Sequence, residues 1–406
     1  MRIAKICVNR CPLRPLGGKD TGGMHLYIRE LSQELGRLGV EVDIFTRWHD
    51  DSESEVVEIG EKARLIHIAA GEQEDILKTD IYNILPQFSM NLIRYIESEG
   101  LVYDLLHSHY WLSALAAEQL QAQLMIPHVA TFHTLGEVKN RARPAEMEPE
   151  LRIKAERKAI ATADCIIAVS PDEKDNLISI YGAQPDNVKV IPCGVDLGLF
   201  QPMDKEKVLC ELGLSEHSNI LLYVGRIEPF KGIDTLLRAM ARLEDNKDLR
   251  FLIVGGDSDS DGELVRLRSL ASKLGIEGRV IFWGAVEHEK MPIFYNAAHA
   301  CVIASYYESF SLVAVEALAC GTPVVAPRVG GLATIIKDGE AGYLIDEFSS
   351  EVFAQRLEWL LGDKELRRRM GNAARPSVID YAWSIVARQV LGVYEELITT
   401  KVPLIP

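Results

Sequence analysis

The chain has 406 residues, 48% of them hydrophobic and 25% charged, with a formal net charge of −15. That length exceeds one hydrophobic core and implies two domains with the composition of an ordinary globular enzyme. The acidic balance argues against nucleic-acid binding, where affinity comes from neutralising phosphates, but leaves room for a local basic pocket. No apolar run is long enough to span a bilayer, and residues 1–8 read as a first strand, too short for a signal peptide. Cys7, Cys11, Cys165, Cys193, Cys210, Cys301 and Cys320 show no metal-type pairing and read as reduced thiols of a cytoplasmic protein.

In chain order, apolar strand patterns fall at 3–8, 42–46, 65–69, 102–106, 128–132, 165–169 and 188–191. Helical periodicity separates several of them. Met24, Tyr27, Ile28, Leu31, Leu35 and Leu38 share one face, and Gly39 stops the run. Residues 194–202 are rich in turn formers and read as a hinge. A second strand series follows at 220–224, 251–254, 280–283, 301–304, 324–326 and 343–345, and helices close the chain near 349–361, 364–381 and 383–399. This alternation predicts parallel sheets covered by helices on both faces. The expected fold class is α/β, with two doubly wound, Rossmann-like domains facing across a cleft.

The most informative stretch runs from Tyr307 to Ala326. Glu308 lies in the loop leaving a strand pattern, and Glu316 lies in the helix that follows, which Gly321 ends as a left-handed cap ahead of Pro323. Ligands of parallel sheets bind at the carboxyl ends of strands. The backbone N–H groups of Phe310, Ser311 and Leu312, at a helix N-terminus, suit a phosphate. Carboxylates flanking that seat suit sugar hydroxyls, so the pattern implies a nucleotide-sugar site. Gly22 and Gly23 follow a loop with Gly17, Gly18, Lys19, Asp20 and Thr21 and open a helix, letting backbone come close to a phosphate. Their spacing fits neither a P-loop nor the dinucleotide fingerprint, and also suits a plain flexible turn. Arg226 and Lys231 leave the strand at 220–224 in a Pro-containing loop; taken alone they read as solvated cations. Asp257, Ser258, Asp259, Ser260, Asp261 and Gly262 reproduce the front of a calcium loop, yet Arg268 stands where a bidentate Glu belongs. That stretch reads as an acidic surface loop, with a weak cation site left open and no required metal.

Gly22-Gly23-Met24, His107 through Trp111, Val190 through Asp196, Val224 through Gly232 and the Glu308…Glu316 element occur in one order and spacing. In these pieces the chain resembles, over nearly its whole length, the retaining glycosyltransferases of family 4, which have the GT-B architecture. The resemblance implies an acceptor-binding domain at 1–196, completed by a returning helix at 383–406, and a nucleotide-sugar domain at 197–382. It implies that Arg226 and Lys231 neutralise the departing diphosphate, that Glu316 holds the ribose, that Glu308 orients the donor sugar, and that His133 stands beside that sugar. It also implies front-face transfer without a protein nucleophile, the donor's own phosphate oxygen taking the acceptor proton. No cofactor or metal is expected, because the nucleotide sugar is a co-substrate; a UDP-sugar carrying glucose or N-acetylglucosamine is the expected donor, with guanosine as the base and mannose as the sugar left open. Soluble relatives are often dimers, which makes a homodimer an expectation here.

Within the family, the same motifs resemble the inositol-phosphate N-acetylglucosaminyltransferases of mycothiol synthesis, with sucrose-phosphate synthases as near relatives. Lys78, Tyr110, Thr134 and Arg152 occupy the positions with which that subgroup grips its acceptor's phosphate. A small phosphorylated polyol or sugar is therefore the expected acceptor. His25 departs from the pattern, since those enzymes carry Asn there, and this leaves the acceptor's identity open. Two other classes remain as alternatives. A nucleotide-sugar epimerase would need acid–base carboxylates in the first domain, and none is arranged so. A non-catalytic sugar-nucleotide binder is disfavoured by the joint presence of Arg226, Lys231, Glu308 and Glu316.

Overall fold

The computed structural model describes residues 1–14, 22–50, 52–256 and 262–401, which form two units, each built on its own sheet. The first unit comprises Met1–Arg14, Met24–Cys193 and the chain from Trp383 onward. The second comprises Gly194–Ala382, with Gly22 and Gly23. The Gly17–Thr21 loop and the Asp257–Asp261 stretch singled out in the sequence lie outside the described residues.

Eight strands build the first sheet: β1 (Arg2–Cys7), β2 (Glu41–Arg47), β3 (Val56–Gly60), β4 (Ala63–Ile68), β5 (Leu105–His109), β6 (His128–Thr131), β7 (Cys165–Ala168) and β8 (Val188–Val190). Their order is β3-β4-β2-β1-β5-β6-β7-β8, with every pair parallel except β3–β4. The order turns back between β1 and β5, the switch point at which parallel sheets bind ligands. The second sheet holds β9 (Asn219–Val224), β10 (Leu249–Val254), β11 (Val280–Gly284), β12 (Ala300–Val302), β13 (Val324–Pro327) and β14 (Gly342–Ile345). It is parallel throughout, in the order β11-β10-β9-β12-β13-β14, and its switch point lies between β9 and β12.

The structure corrects the sequence reading at several elements. β3 escaped it because this antiparallel edge strand is half exposed and interrupted by Glu58, which faces Arg64 of β4. The strand expected at 102–106 runs instead from Leu105 to His109, with Val102 exposed and every β5 residue buried. Apolarity misplaced it, because this central strand carries His107, Ser108 and His109 inside the protein. Each polar ring has a partner: His107 lies 2.6 Å from the Tyr394 hydroxyl and 2.9 Å from Thr131 Oγ1. Ser108 Oγ lies 2.7 Å from His128 Nε2. Leu38 is exposed because the helix Gly23–Arg37 ends before it. The helix expected at 364–381 is α-helical only over Lys364–Ala374 and tightens to a 3₁₀ turn from Arg375, where Pro376 cannot donate.

The closing helix Trp383–Lys401 belongs to the first unit, its Tyr394 bonded to His107 and Trp383 packed 5.6 Å from the ring of Tyr27. All seven thiols are free, Cys210 exposed and the other six buried. Among the described residues, no helix is long and apolar enough to cross a membrane.

Candidate active site

In the second unit the loops leaving β9 and β12 meet at the switch point, which brings Lys231 to Glu308. Pro229–Lys231 forms a 3₁₀ turn that Gly232 closes with φ 62°. A Cβ on Gly232 would stand 2.2 Å from the Ala304 carbonyl oxygen, so only glycine lets the two loops lie this close. Lys231 Nζ donates to Glu308 Oε1 at 2.7 Å, and Ser305 Oγ donates to the same oxygen at 2.6 Å. From the other side, the Gly331 N–H donates to the Glu308 carbonyl at 2.8 Å, while a Cβ on Gly330 would stand 2.0 Å from that oxygen. Glu308 is thus held by both its backbone and its carboxylate. Arg226 pairs with Glu228 at 3.0 Å, both about a third exposed, and its carbonyl accepts from the Tyr223 hydroxyl at 2.7 Å.

Beyond Glu308, Ser311 caps the helix Leu312–Ala319 by accepting from the Ala314 N–H. The N–H groups of the first turn have no carbonyl partner inside their own helix. Backbone N–H groups so placed at a helix N-terminus suit an anion. The Phe310 ring, just ahead of this turn, lies 5.8 Å from that of Tyr381. Glu316 sits one turn into this helix and is 5% exposed. Each carboxylate oxygen has one partner, Oε1 lying 2.7 Å from His288 Nε2 and Oε2 accepting from the Tyr295 hydroxyl at 2.7 Å, which leaves acceptor capacity on both. Burial, with the Glu316 charge beside it, pushes the Tyr295 phenol well up, so it stays a hydrogen-bond donor. Neither His288 nor Tyr295 was a sequence candidate. The only signal was indirect: a carboxylate among apolar neighbours must find partners.

In the first unit the loops after β1, β5 and β6 carry the candidates. Gly23 opens the helix that follows β1, although with Gly22 it is grouped with the second unit, and His25 is buried within that helix's first turns. Tyr110 leaves β5 at φ 76° and precedes the helix Trp111–Leu124, its N–H donating to the Thr131 carbonyl at 2.9 Å. His133 leaves β6 at φ 62°, its Nε2 3.1 Å from His109 Nδ1 and its ring 5.1 Å from that of Tyr27. Two non-glycine residues in the left-handed region at neighbouring strand ends mark strained positions of the kind that cluster at functional sites. Burial, with His25 and Lys5 nearby, lowers the His133 imidazole to about 3, and burial beside His107 lowers His109 as well. Both rings are neutral at physiological pH.

Arg152 joins three of the four residues expected to grip an acceptor phosphate. Its guanidinium lies over the Tyr110 ring at 4.9 Å and donates to Thr134 Oγ1 and to the Thr134 carbonyl, each at 2.9 Å. Two carboxylates complete its shell: Glu156 at 2.7 Å and Glu148 at 3.0 Å. Burial opposes the charge but is outweighed by Tyr110, Glu156 and Glu148, which hold the guanidinium above its ordinary range. Glu156 also accepts from the Gly136 N–H and from the Tyr181 hydroxyl. These two carboxylates were absent from the sequence reading; Glu156 lies four residues after Arg152 in the same helix, a readable spacing, while Glu148 precedes that helix. Lys78 differs in environment. It is an exposed first residue of the helix Lys78–Ser98, one turn ahead of Tyr82, whose ring lies 6.2 Å from that of Trp111.

Comparison with known proteins gives the family and the fold. Residues 21–199 match the model of Glycosyltransferase Family 4, and residues 204–377 match Glycosyl transferases group 1. The chain is 38% identical to a D-inositol 3-phosphate glycosyltransferase of Corynebacterium efficiens, over 99% of this chain and 96% of that one. It is also 38% identical to D-inositol 3-phosphate glycosyltransferase 2 of Catenulispora acidiphila, over 98% and 95%. Among solved structures, sucrose-phosphate synthase from Thermosynechococcus elongatus superposes with a TM-score of 0.91 at 34% identity, covering 98% of this chain and 100% of that one. The two Rossmann-like units are those of the GT-B glycosyltransferases.

Proposed function

Because the chain belongs to the glycosyltransferase family of the D-inositol 3-phosphate glycosyltransferases, we propose that it moves a hexosyl group from a UDP-sugar to a small phosphorylated polyol, with retention at the anomeric carbon. The observation that carries the reading is the Lys231–Glu308 contact beside the capped helix that holds Glu316. It supplies a cation, a fixed carboxylate, free backbone donors and a second, buried carboxylate around one strand-end loop.

The chemistry follows from those charges. When the bond from the anomeric carbon to the diphosphate breaks, negative charge grows on the leaving oxygen and positive charge on the sugar ring. Lys231 exchanges part of its contact with Glu308 for the diphosphate, while Arg226 leaves Glu228 to do the same. Cations acting at the departing oxygens stabilise the transition state more than the ground state. Glu308, released from Lys231, accepts from a ring hydroxyl of the donor sugar, and Glu316 accepts from the ribose hydroxyls. The acceptor hydroxyl attacks on the face from which the diphosphate leaves, and its proton passes to the departing phosphate oxygen. No protein nucleophile takes part, and His133, as a neutral ring, contributes hydrogen bonding beside the sugar. With two side-chain cations at the diphosphate, added Mg²⁺ is not expected to raise turnover.

On the acceptor side, Arg152 fixes the Thr134 hydroxyl and the Tyr110 ring, and Lys78 adds an exposed charge. A phosphate displaces Glu148 from the guanidinium and leaves Glu156 in place. The 34% identity to a sucrose-phosphate synthase over the whole chain favours a second reading, in which the acceptor is a phosphorylated hexose. The test is nucleoside-diphosphate release from a panel of UDP- and GDP-sugars, with inositol phosphate, fructose 6-phosphate and their unphosphorylated forms as acceptors. Release that requires one UDP-sugar and inositol phosphate supports the first reading, and release with fructose 6-phosphate alone supports the second. Equal rates with phosphorylated and free acceptors reject the phosphate pocket.

A further inference from the structure

Away from the loops just described, the carboxyl-terminal side of β1, β2 and β4 gathers four side chains with metal-binding atoms. Cys11 follows β1, His49 follows β2, Glu53 lies in the loop before β3, and His67 belongs to β4. Cys11, His49 and His67 are almost completely buried, at 1%, 4% and 2% exposure. Cys11 Sγ, a Glu53 carboxylate oxygen and a His67 ring nitrogen all lie within 4.8 Å of one another. His67 Nε2 is 3.1 Å from Glu53 Oε2, and His49 Nε2 is 3.7 Å from Glu53 Oε1.

The two imidazoles are oriented alike. His67 Nδ1 lies 2.7 Å from the Ser54 carbonyl and His49 Nδ1 lies 3.1 Å from the Arg47 carbonyl. A carbonyl only accepts, so each Nδ1 carries the proton and each Nε2 presents a lone pair. This tautomer, fixed by a backbone carbonyl behind the ring, is the one metal-ligating histidines adopt. Both Nε2 atoms and Glu53 Oε2 are buried and find no hydrogen-bond partner among the described residues. Leaving buried polar atoms so is destabilising unless something else satisfies them.

The surrounding loops hold the four groups in place. Arg10 and Arg14 both pair with Asp75, at 2.7 and 2.9 Å. Arg47 donates to the carbonyls of Ala70, Glu72 and Glu74, and the Trp48 ring stacks 6.2 Å from His67.

We propose that Cys11, His49, Glu53 and His67 bind one zinc-class divalent cation that ties the loops after β1 and β2 to β4. One thiolate, two imidazoles and one carboxylate form the borderline-soft, four-ligand set that zinc takes in tetrahedral sites. Tetrahedral bonds of zinc length place neighbouring ligand atoms roughly 3.3–3.8 Å apart, close to the two Glu53–imidazole distances. Cys11, within the 4.8 Å trio, and His49, outside it, reach that spacing by moving inward. The charges balance as well: the Cys11 thiol releases its proton to solvent, and thiolate plus carboxylate neutralise the ion. With four protein ligands the site is closed and structural, and it stands independently of the proposed transfer reaction.

The experiment measures metal in the intact protein, purified without chelators after growth with zinc. Mass spectrometry of the metal is expected to find about one zinc per chain. Cys11→Ser and His67→Gln should each weaken zinc binding at least ~10-fold in competition with a chromophoric chelator, whereas Cys210→Ser, at the exposed thiol, should not. Should either variant fail to fold, the wild type decides through cobalt replacement. A thiolate-to-cobalt charge-transfer band with the intense visible bands of a tetrahedral ion supports the site. A folded wild type that takes up neither zinc nor cobalt at micromolar free metal overturns it and leaves Glu53 and His67 as an ion pair. Zinc lost in Cys210→Ser but retained in the other two variants would mean surface binding and would equally overturn it.

Discussion

The two units hold their charged candidates in opposite ways. In the second, Arg226 and Lys231 sit on loops, 39% and 17% exposed, each paired with one carboxylate of similar exposure. In the first, Arg152 and Glu156 are 3% and 0% exposed, and every arm of the guanidinium is engaged. A part-exposed pair gains little net energy and can exchange one partner for another cheaply. A buried pair pays a large desolvation cost, and removing one member strands the other. The second unit therefore carries groups that can follow a changing charge, whereas in the first the buried Arg152–Glu156 pair stays fixed and only the part-exposed Glu148 can be exchanged.

The strongest test of that contrast is Lys231→Ala. If Lys231 acts on the departing diphosphate, steady-state turnover should fall on the order of 10³-fold, equivalent to about 4 kcal/mol of transition-state stabilisation. The melting temperature should move by no more than a few degrees, because the pair with Glu308 is part-exposed. Near-normal turnover would remove Lys231 from the chemistry. A collapse in stability would make it a structural residue like Arg152.

Next in size is a stability comparison. Glu156→Gln strips one charge from the Arg152 cluster and weakens the bonds to Gly136 and Tyr181, so denaturant unfolding should lose about 3 kcal/mol. Glu228→Ala, which frees Arg226, should cost about 1 kcal/mol or less. Equal losses would show that burial does not separate the two regions. A smaller effect, read in kinetics, comes from Arg152→Lys. The ammonium keeps the charge but loses the fork that spans Glu156 and Thr134. The KM for a phosphorylated acceptor should rise roughly tenfold while that for the donor stays unchanged. A matching rise with the unphosphorylated acceptor would assign Arg152 to folding alone.

The same contrast explains what the sequence revealed. Arg226, Lys231, Glu308 and Glu316 lie within short loops and one helix, punctuated by Gly232, Pro229 and Gly321, so local signals placed them at strand ends. The partners of Glu316 could not be read this way, since His288 and Tyr295 lie in a separate helical stretch that looks like ordinary core. The first unit hid more. Its strand β5 carries histidines that apolar patterning rejects, and it is made buriable by Tyr394, which arrives from the last helix of the chain. Thr134 and Tyr110 could be named by resemblance, but their direct contacts with Arg152 become visible only once β5, β6 and the helix Glu150–Thr162 are adjacent. Local chemistry was legible; long-range satisfaction of buried charge was not.

The finest test uses two buried groups of the first unit whose titrations run in opposite directions. Glu173, in the helix Pro171–Ser179, is pushed up to about 7 by burial, against the bond its carboxylate accepts from the Val169 N–H at 2.6 Å. Its folded pKa lies above its unfolded value, so its contribution to stability is complete below about pH 4.5 and is lost as the pH rises through 7. His133, lowered to about 3, does the reverse: its contribution is present above about pH 6.5 and is lost as the pH falls toward 3. Wild-type stability should thus be highest between these limbs and decline on both sides. Glu173→Gln keeps an acceptor for Val169 and removes only the ionisation, so it should melt near the wild-type temperature at pH 5 and a few degrees above it at pH 8, a gain of about 2–3 kcal/mol. Parallel curves across that range would mean that Glu173 is ionised in the folded protein, and that the first unit tolerates an unpaired buried charge that the contrast with the second unit says it should not.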